Sequence, residues 1–73
     1  MTVIPVRELQ HGDTLIADCF LPSHEGFVHT VDDVREIGNG CMRVWIDVST
    51  ADGWDRCHYD RIFWDCGEGV EIA

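Results

Sequence analysis

The chain has 73 residues, 45% of them hydrophobic and 10% aromatic, with fourteen acids against five bases for a formal net charge of -9. This length fits one domain, spanning residues 1–73, with a marginal core that buries on the order of 60% of its surface, and the aromatic content excludes a disordered tail. So negative a field repels nucleic acid and anionic lipid and favours basic protein surfaces or cations, which disfavours direct nucleic-acid binding, and no apolar run of about 18 residues exists to cross a membrane.

All five bases are arginine and lysine is absent, a composition that GC-rich coding sequence tends to produce. The amino-terminal MTVIPVRELQ lacks the basic and long apolar regions of a secretory signal, so the expected location is the cytoplasm. Cys19, Cys41, Cys57 and Cys66 form no C-x-x-C pair, and in a cytoplasmic chain they are expected as free thiols rather than disulfides.

Taken in chain order, residues 3–6 (VIPV) are β-prone, and Pro5 suits an edge strand because it lacks a backbone donor. His11-Gly12-Asp13 reads as a turn. Thr14, Ile16 and Asp18 then alternate with Leu15, Ala17 and Cys19, predicting a strand over about 14–20, and LPSHEG follows as a loop. Residues 31–37 admit two readings. As a helix, Thr30 is the N-cap and Gly38 the terminator. As a strand, a bulge near Asp32-Asp33 lets Val31 and Val34 both point inward. The Gly38-Asn39-Gly40 turn and the partner segment beyond it favour the strand.

That partner is the clearest element. Met42, Val44, Ile46 and Val48 alternate with Cys41, Arg43, Trp45 and Asp47, as in a half-buried antiparallel strand. Asp52-Gly53 is a strong turn signal, WDRCHY reads as a further strand, DRIFWD as a 3₁₀ turn, and VEI as the last strand. Cys57, Tyr59, Ile62 and Phe63 are expected to complete the core. The fold class is all-β, with five strands.

Gly12-Asp13-Thr14-Leu15 leading into the first long strand, Gly26-Phe27-Val28 opening the next, and a 3₁₀ turn at residues 60–64 resemble an SH3-like small barrel of the KOW type, over about residues 10–72. The chain is also similar in style to short acidic proteins of phages of GC-rich bacteria. The resemblance implies a five-stranded barrel with one short 3₁₀ turn. KOW-type barrels contact RNA, ribosomal or polymerase surfaces through basic residues, and this acidic chain departs from that.

The chemistry-bearing residues point away from catalysis. His24 and His29 have the H-x₄-H spacing of some zinc sites, but no paired cysteines accompany them, and neighbours such as Cys57 and His58 face opposite sides of a strand. We expect no metal or other cofactor. No nucleophile–base signature or phosphate-binding glycine loop is present, and we expect no enzyme. What remains is an acidic-aromatic surface. Trp45, Trp54 and Trp64 are candidate partner anchors, with Asp52, Asp55, Asp60 and Asp65 around them. The expected function is a protein-interaction module, a small phage-type accessory or regulatory protein that binds a host or phage protein. The alternatives are an acidic DNA mimic that inhibits a nucleic-acid-binding protein, and a small metal-binding protein. A weak, salt-sensitive homodimer is also expected, through an apolar patch at Trp45, Phe27 or Phe63.

Overall fold

A computed structural model describes residues 2–16, 27–50 and 52–73. Over these residues the fold is all-β. It comprises β1 (Thr2–Pro5), a 3₁₀ turn (Val6–Glu8), β2 (Thr14–Leu15), β3 (Val28–Gly38), β4 (Cys41–Ser49), β5 (Arg56–Phe63) and β6 (Gly69–Ile72). The strands form one sheet in the order β1-β6-β2-β3-β4-β5, every pair antiparallel. Six strands are present where five were expected, and no strand pairing joins the edges β1 and β5 among the described residues.

The β3–β4 hairpin organises the sheet. Its turn needs left-handed backbone, and Gly38, Asn39 and Gly40 supply it with φ of 110°, 54° and 77°. Residues 31–37 are strand, not helix. The register slips between Val31 and Asp33, a bulge at the place the two inward valines require. Val31 is fully buried and Val34 packs against the core, although three residues separate them. The Val34 N–H donates to Asp33 Oδ1 at 2.9 Å, which gives the bulge a side-chain partner.

The 3₁₀ turn lies at Val6–Glu8, not at 60–64. Pro5 at φ −65° ends β1, and the Leu9 N–H donates to the Val6 carbonyl at 3.0 Å. Three residues per 3₁₀ turn put Val6 and Leu9 on one side, and both are buried. Residues 60–63 continue β5 instead. The sequence hides this because Arg61 occupies an inward position opposite Val44, between Tyr59 (opposite Ile46) and Phe63 (opposite Met42). Its guanidinium lies over the Phe63 ring, 4.4 Å from the centroid, so an aromatic face receives the charge at this inward position.

β2 is only two residues long. Ile16 is exposed and outside it, and the remainder of the strand expected over 14–20, with Cys19, His24 and the LPSHEG loop, lies outside the described residues. β5 begins at Arg56, so Trp54 and Asp55 belong to the preceding turn.

The core is one cluster: Val6, Leu9, Leu15, Val31, Met42, Val44, Ile46, Val48 and Phe63, flanked by Ile4, Phe27, Val34, Tyr59, Cys66, Val70 and Ile72. Two expected members are missing from it. Cys57 is exposed, and Ile62 is on the opposite side of β5, 40% exposed. Segment 65–69 ties the hairpin tip to the 3₁₀ turn. The Cys66 N–H donates to the Gly40 carbonyl at 2.8 Å, and the Val6 and Arg7 N–H groups donate to the Glu68 and Cys66 carbonyls at 2.9 and 3.1 Å.

Candidate interaction face

The side of β3–β4–β5 away from the core carries the functional candidates. Strand register sets its rows. Arg35, Arg43 and Ile62 lie side by side, then Asp33, Trp45 and Asp60, then Thr30, Asp47 and His58. Asp32, the extra residue of the bulge, adds a fourth carboxylate beside the middle row. Three of the chain's five arginines (Arg35, Arg43 and Arg56) are on this face.

Trp45 sits at the centre, half-buried among charges. The Arg43 guanidinium is 4.8 Å from its ring centroid and that of Arg35 5.9 Å. Opposed arginines repel, and each is offset by a carboxylate. Arg43 Nε donates to Asp60 Oδ2 at 2.7 Å, and Arg35 Nε to Asp33 Oδ2 at 3.0 Å. Two cations stacked on one indole, each held by an acid, fix the ring in place.

Beyond Trp45 lies a concavity of about 180 Å³, lined by Asp32, Trp45, Ile46, Asp47, His58 and Tyr59. His11 meets one of these residues, Asp32, from the turn before β2. That turn is fastened to the bulge by Gly12 N–H to Val31 O and Val31 N–H to Asp13 O, both 2.8 Å. His11 Nδ1–H donates to the Asp32 carbonyl at 2.7 Å and lies 3.8 Å from the Asp32 carboxylate.

The seven residues singled out in the sequence do not all meet. Trp45 and Asp60 are direct register partners on this face. Trp64 follows β5 at the hairpin-tip end, 79% exposed, and its carbonyl accepts from Cys41 Sγ–H at 3.6 Å. Trp54, Asp52 and Asp55 sit at the far end, in the β4–β5 turn, where Trp54 is 88% exposed.

Asp52 and Asp65 shape turns. Asp52 Oδ1 accepts from the Thr50 hydroxyl at 2.6 Å and the Trp54 N–H at 3.0 Å. These bonds, the hydroxyl's first, hold its carboxyl below the ordinary value of 3.8. Asp65 Oδ1 accepts from the Gly67 N–H at 2.8 Å.

Sequence reasoning missed Arg35, Asp33, Asp32 and His58 as neighbours of Trp45. The signal was available only jointly, from a bulge position plus a hairpin register. Of the apolar patch expected to support a homodimer, Phe63 is buried and Phe27 packs against the core, which leaves Trp45 alone on the surface.

His29, one half of the H-x₄-H pair, is buried and donates from Nδ1 to the Phe27 carbonyl at 3.1 Å. Among the described residues no group of three or more His, Cys, Asp or Glu is placed to hold a metal ion, and no helix is long and apolar enough to cross a membrane. Comparison with protein-family models, with curated proteins and with solved structures returns no match to this chain.

Proposed function

We propose that this protein is a non-enzymatic interaction module that binds a protein partner through the outer face of β3–β4–β5. The observation that carries the reading is Trp45, an indole turned away from the core with the guanidinium groups of Arg35 and Arg43 over its ring. A large aromatic kept rigid on a surface loses little entropy on binding, and Trp and Arg are the residues that most often dominate interface energies. Exposed Ile62 and Trp64 extend the face with apolar area toward the hairpin tip, and Asp60 belongs to its charged frame. Asp52, Asp55 and Trp54 add an acidic-aromatic end, with Asp65 near Trp64.

As part of the same proposal, the chain is a small accessory or regulatory protein of the phage type, acting in the cytoplasm on a host or phage protein. Its support is small size, lysine-free composition and a net charge of -9. Kinship with SH3-like barrels belongs here too. It rests on Gly12-Asp13-Thr14-Leu15 leading into β2.

Pulldown from the native host tests the reading, comparing wild type with a Trp45→Ala, Trp64→Ala double variant. The expected result is a partner recovered by wild type and lost by the variant. Recovery of the same proteins by both contradicts it. A partner displaced by duplex DNA would favour the acidic-mimic alternative.

A further inference from the structure

We propose that the concavity beside Trp45 receives a basic side chain of the protein partner, best an arginine. The inference rests on the reading above and narrows it from a face to a pocket with a stated chemistry.

Four observations meet there. The volume, about 180 Å³, is below the few hundred Å³ that typically enclose a small-molecule ligand. It suits the head of one side chain. Its lining brings Trp45 together with two acids, Asp32 and Asp47.

The third observation is an imbalance of charge around the indole. In the row of Trp45 each carboxylate has an arginine: Asp33 has Arg35 and Asp60 has Arg43. On the concave side none does. The carboxylate of half-buried Asp47 has no hydrogen bond or ion pair among the described residues, and that of Asp32 has only His11 at 3.8 Å. A carboxylate that no cation of its own chain offsets is free to form a charge-assisted hydrogen bond with a partner's cation. Fourth, the field of a chain with net charge -9 attracts a basic surface and steers it in.

Two arginines already lie over the Trp45 ring. A third cation arriving from the concave side would extend the same alternation of guanidinium, indole and carboxylate across the face. Arginine suits the site better than lysine because its planar head can stack on the indole while its nitrogens address both Asp32 and Asp47. A divalent ion is poorly served, since the two carboxylates are not joined by a third ligand among the described residues. The site differs from the acid row read in the sequence, because neither Asp32 nor Asp47 belongs to it.

The test is a titration of ¹⁵N-labelled protein with N-acetyl-arginine amide at low salt, alongside the neutral isostere N-acetyl-citrulline amide. The expected result with arginine is saturable shifts at the Trp45 indole N–H and at the amides of Asp32, Asp47 and His58, with no saturable shift from citrulline. Asp47→Asn should weaken binding by about fivefold or more, and the charge-matched Glu8→Gln control, in the 3₁₀ turn, should stay within about twofold of wild type. Should Asp47→Asn fail to give a folded spectrum, Asp32→Asn replaces it, with the same weakening expected. Equal shifts from citrulline, an Asp47→Asn response matching Glu8→Gln, or shifts centred on the Asp52–Asp55 turn would each overturn the pocket. The two proposals fail separately. A pocket blind to arginine with capture still dependent on Trp45 removes the pocket alone, whereas capture independent of Trp45 and Trp64 removes the face.

Discussion

The two sides of β4 show how one strand divides its work. Met42, Val44, Ile46 and Val48 face inward and are buried, while Arg43, Trp45 and Asp47 between them face outward and are half-buried. Inward positions are held by non-directional burial, worth roughly 1.5–3 kcal/mol for each large apolar side chain. Outward positions are held by directional contacts, an arginine–aspartate bond of 2.7 Å and a guanidinium 4.8 Å from the indole centroid. Contacts of that kind add little to stability at a surface but orient side chains closely. The inner face therefore sustains the fold, and the outer face is a prearranged surface, the one we propose for a partner.

The sharpest way to break this division is to truncate one residue on each side. Ile46→Ala opens a cavity in a core with nine buried apolar residues among those described, and should cost about 2–5 kcal/mol in chemical denaturation. In so small a domain that is enough to unfold much of the population. Trp45→Ala should cost less, about 1–2 kcal/mol, because the ring is only half-buried, and should leave the amide spectrum of the core unchanged. A Trp45→Ala loss as large as that of Ile46→Ala would mean the outer face is a second core.

A smaller effect is expected from the ion pair that frames the indole. A double-mutant cycle with Arg43→Ala and Asp60→Ala should give a coupling of about 0.5–1 kcal/mol that shrinks in salt, since both partners are about two-fifths exposed. Coupling near zero would mean that the pair does not hold Arg43 against Trp45.

The smallest effect concerns Asp52, far from Trp45. Its carboxyl is held below 3.8 by the Thr50 hydroxyl and then by the Trp54 N–H. The sign follows from that direction. A folded value below the unfolded one contributes stability that is complete above about pH 3.8 and is lost as pH falls through the lower folded value. A ¹³C carboxyl titration should place the Asp52 midpoint below 3.8 and move it upward in Thr50→Val. A midpoint unmoved by that substitution would remove the hydroxyl as its cause.

Much of the inner face was legible in the sequence. Strict alternation over residues 41–48 has one physical reading, and two inward valines three apart in β3 demand a bulge. Gly38-Asn39-Gly40 marked the turn because few residues other than glycine and asparagine accept left-handed backbone. The errors arise where a local pattern of charge or spacing conceals which way a residue points. Arg61 points inward with its guanidinium over Phe63 while its charge suggests an outward position, so the sequence reads residues 60–63 as a 3₁₀ turn where the structure has strand. Val6 and Leu9 were buried by a turn of period three that an alternating pattern conceals. The outer face was half legible. Trp45 and Asp60 stood out by residue type, but Arg35, Asp33 and Asp32 became their neighbours only through a shifted register, which is a property of two strands together. The acids at 52 and 65 look in sequence like part of the same row, and their local hydrogen bonds to turn residues show them at work in opposite ends of the structure.

The most direct measurement of the division between faces is the affinity of the recovered partner for three proteins: wild type, Trp45→Ala and Ile46→Val. Calorimetric titration should show Trp45→Ala weakened by about tenfold or more. Ile46→Val should bind as wild type does while losing about 0.5–1.5 kcal/mol of stability. Trp45→Ala binding with undiminished affinity would contradict the account, and the outer face of β3–β4–β5 would then not be where the partner sits.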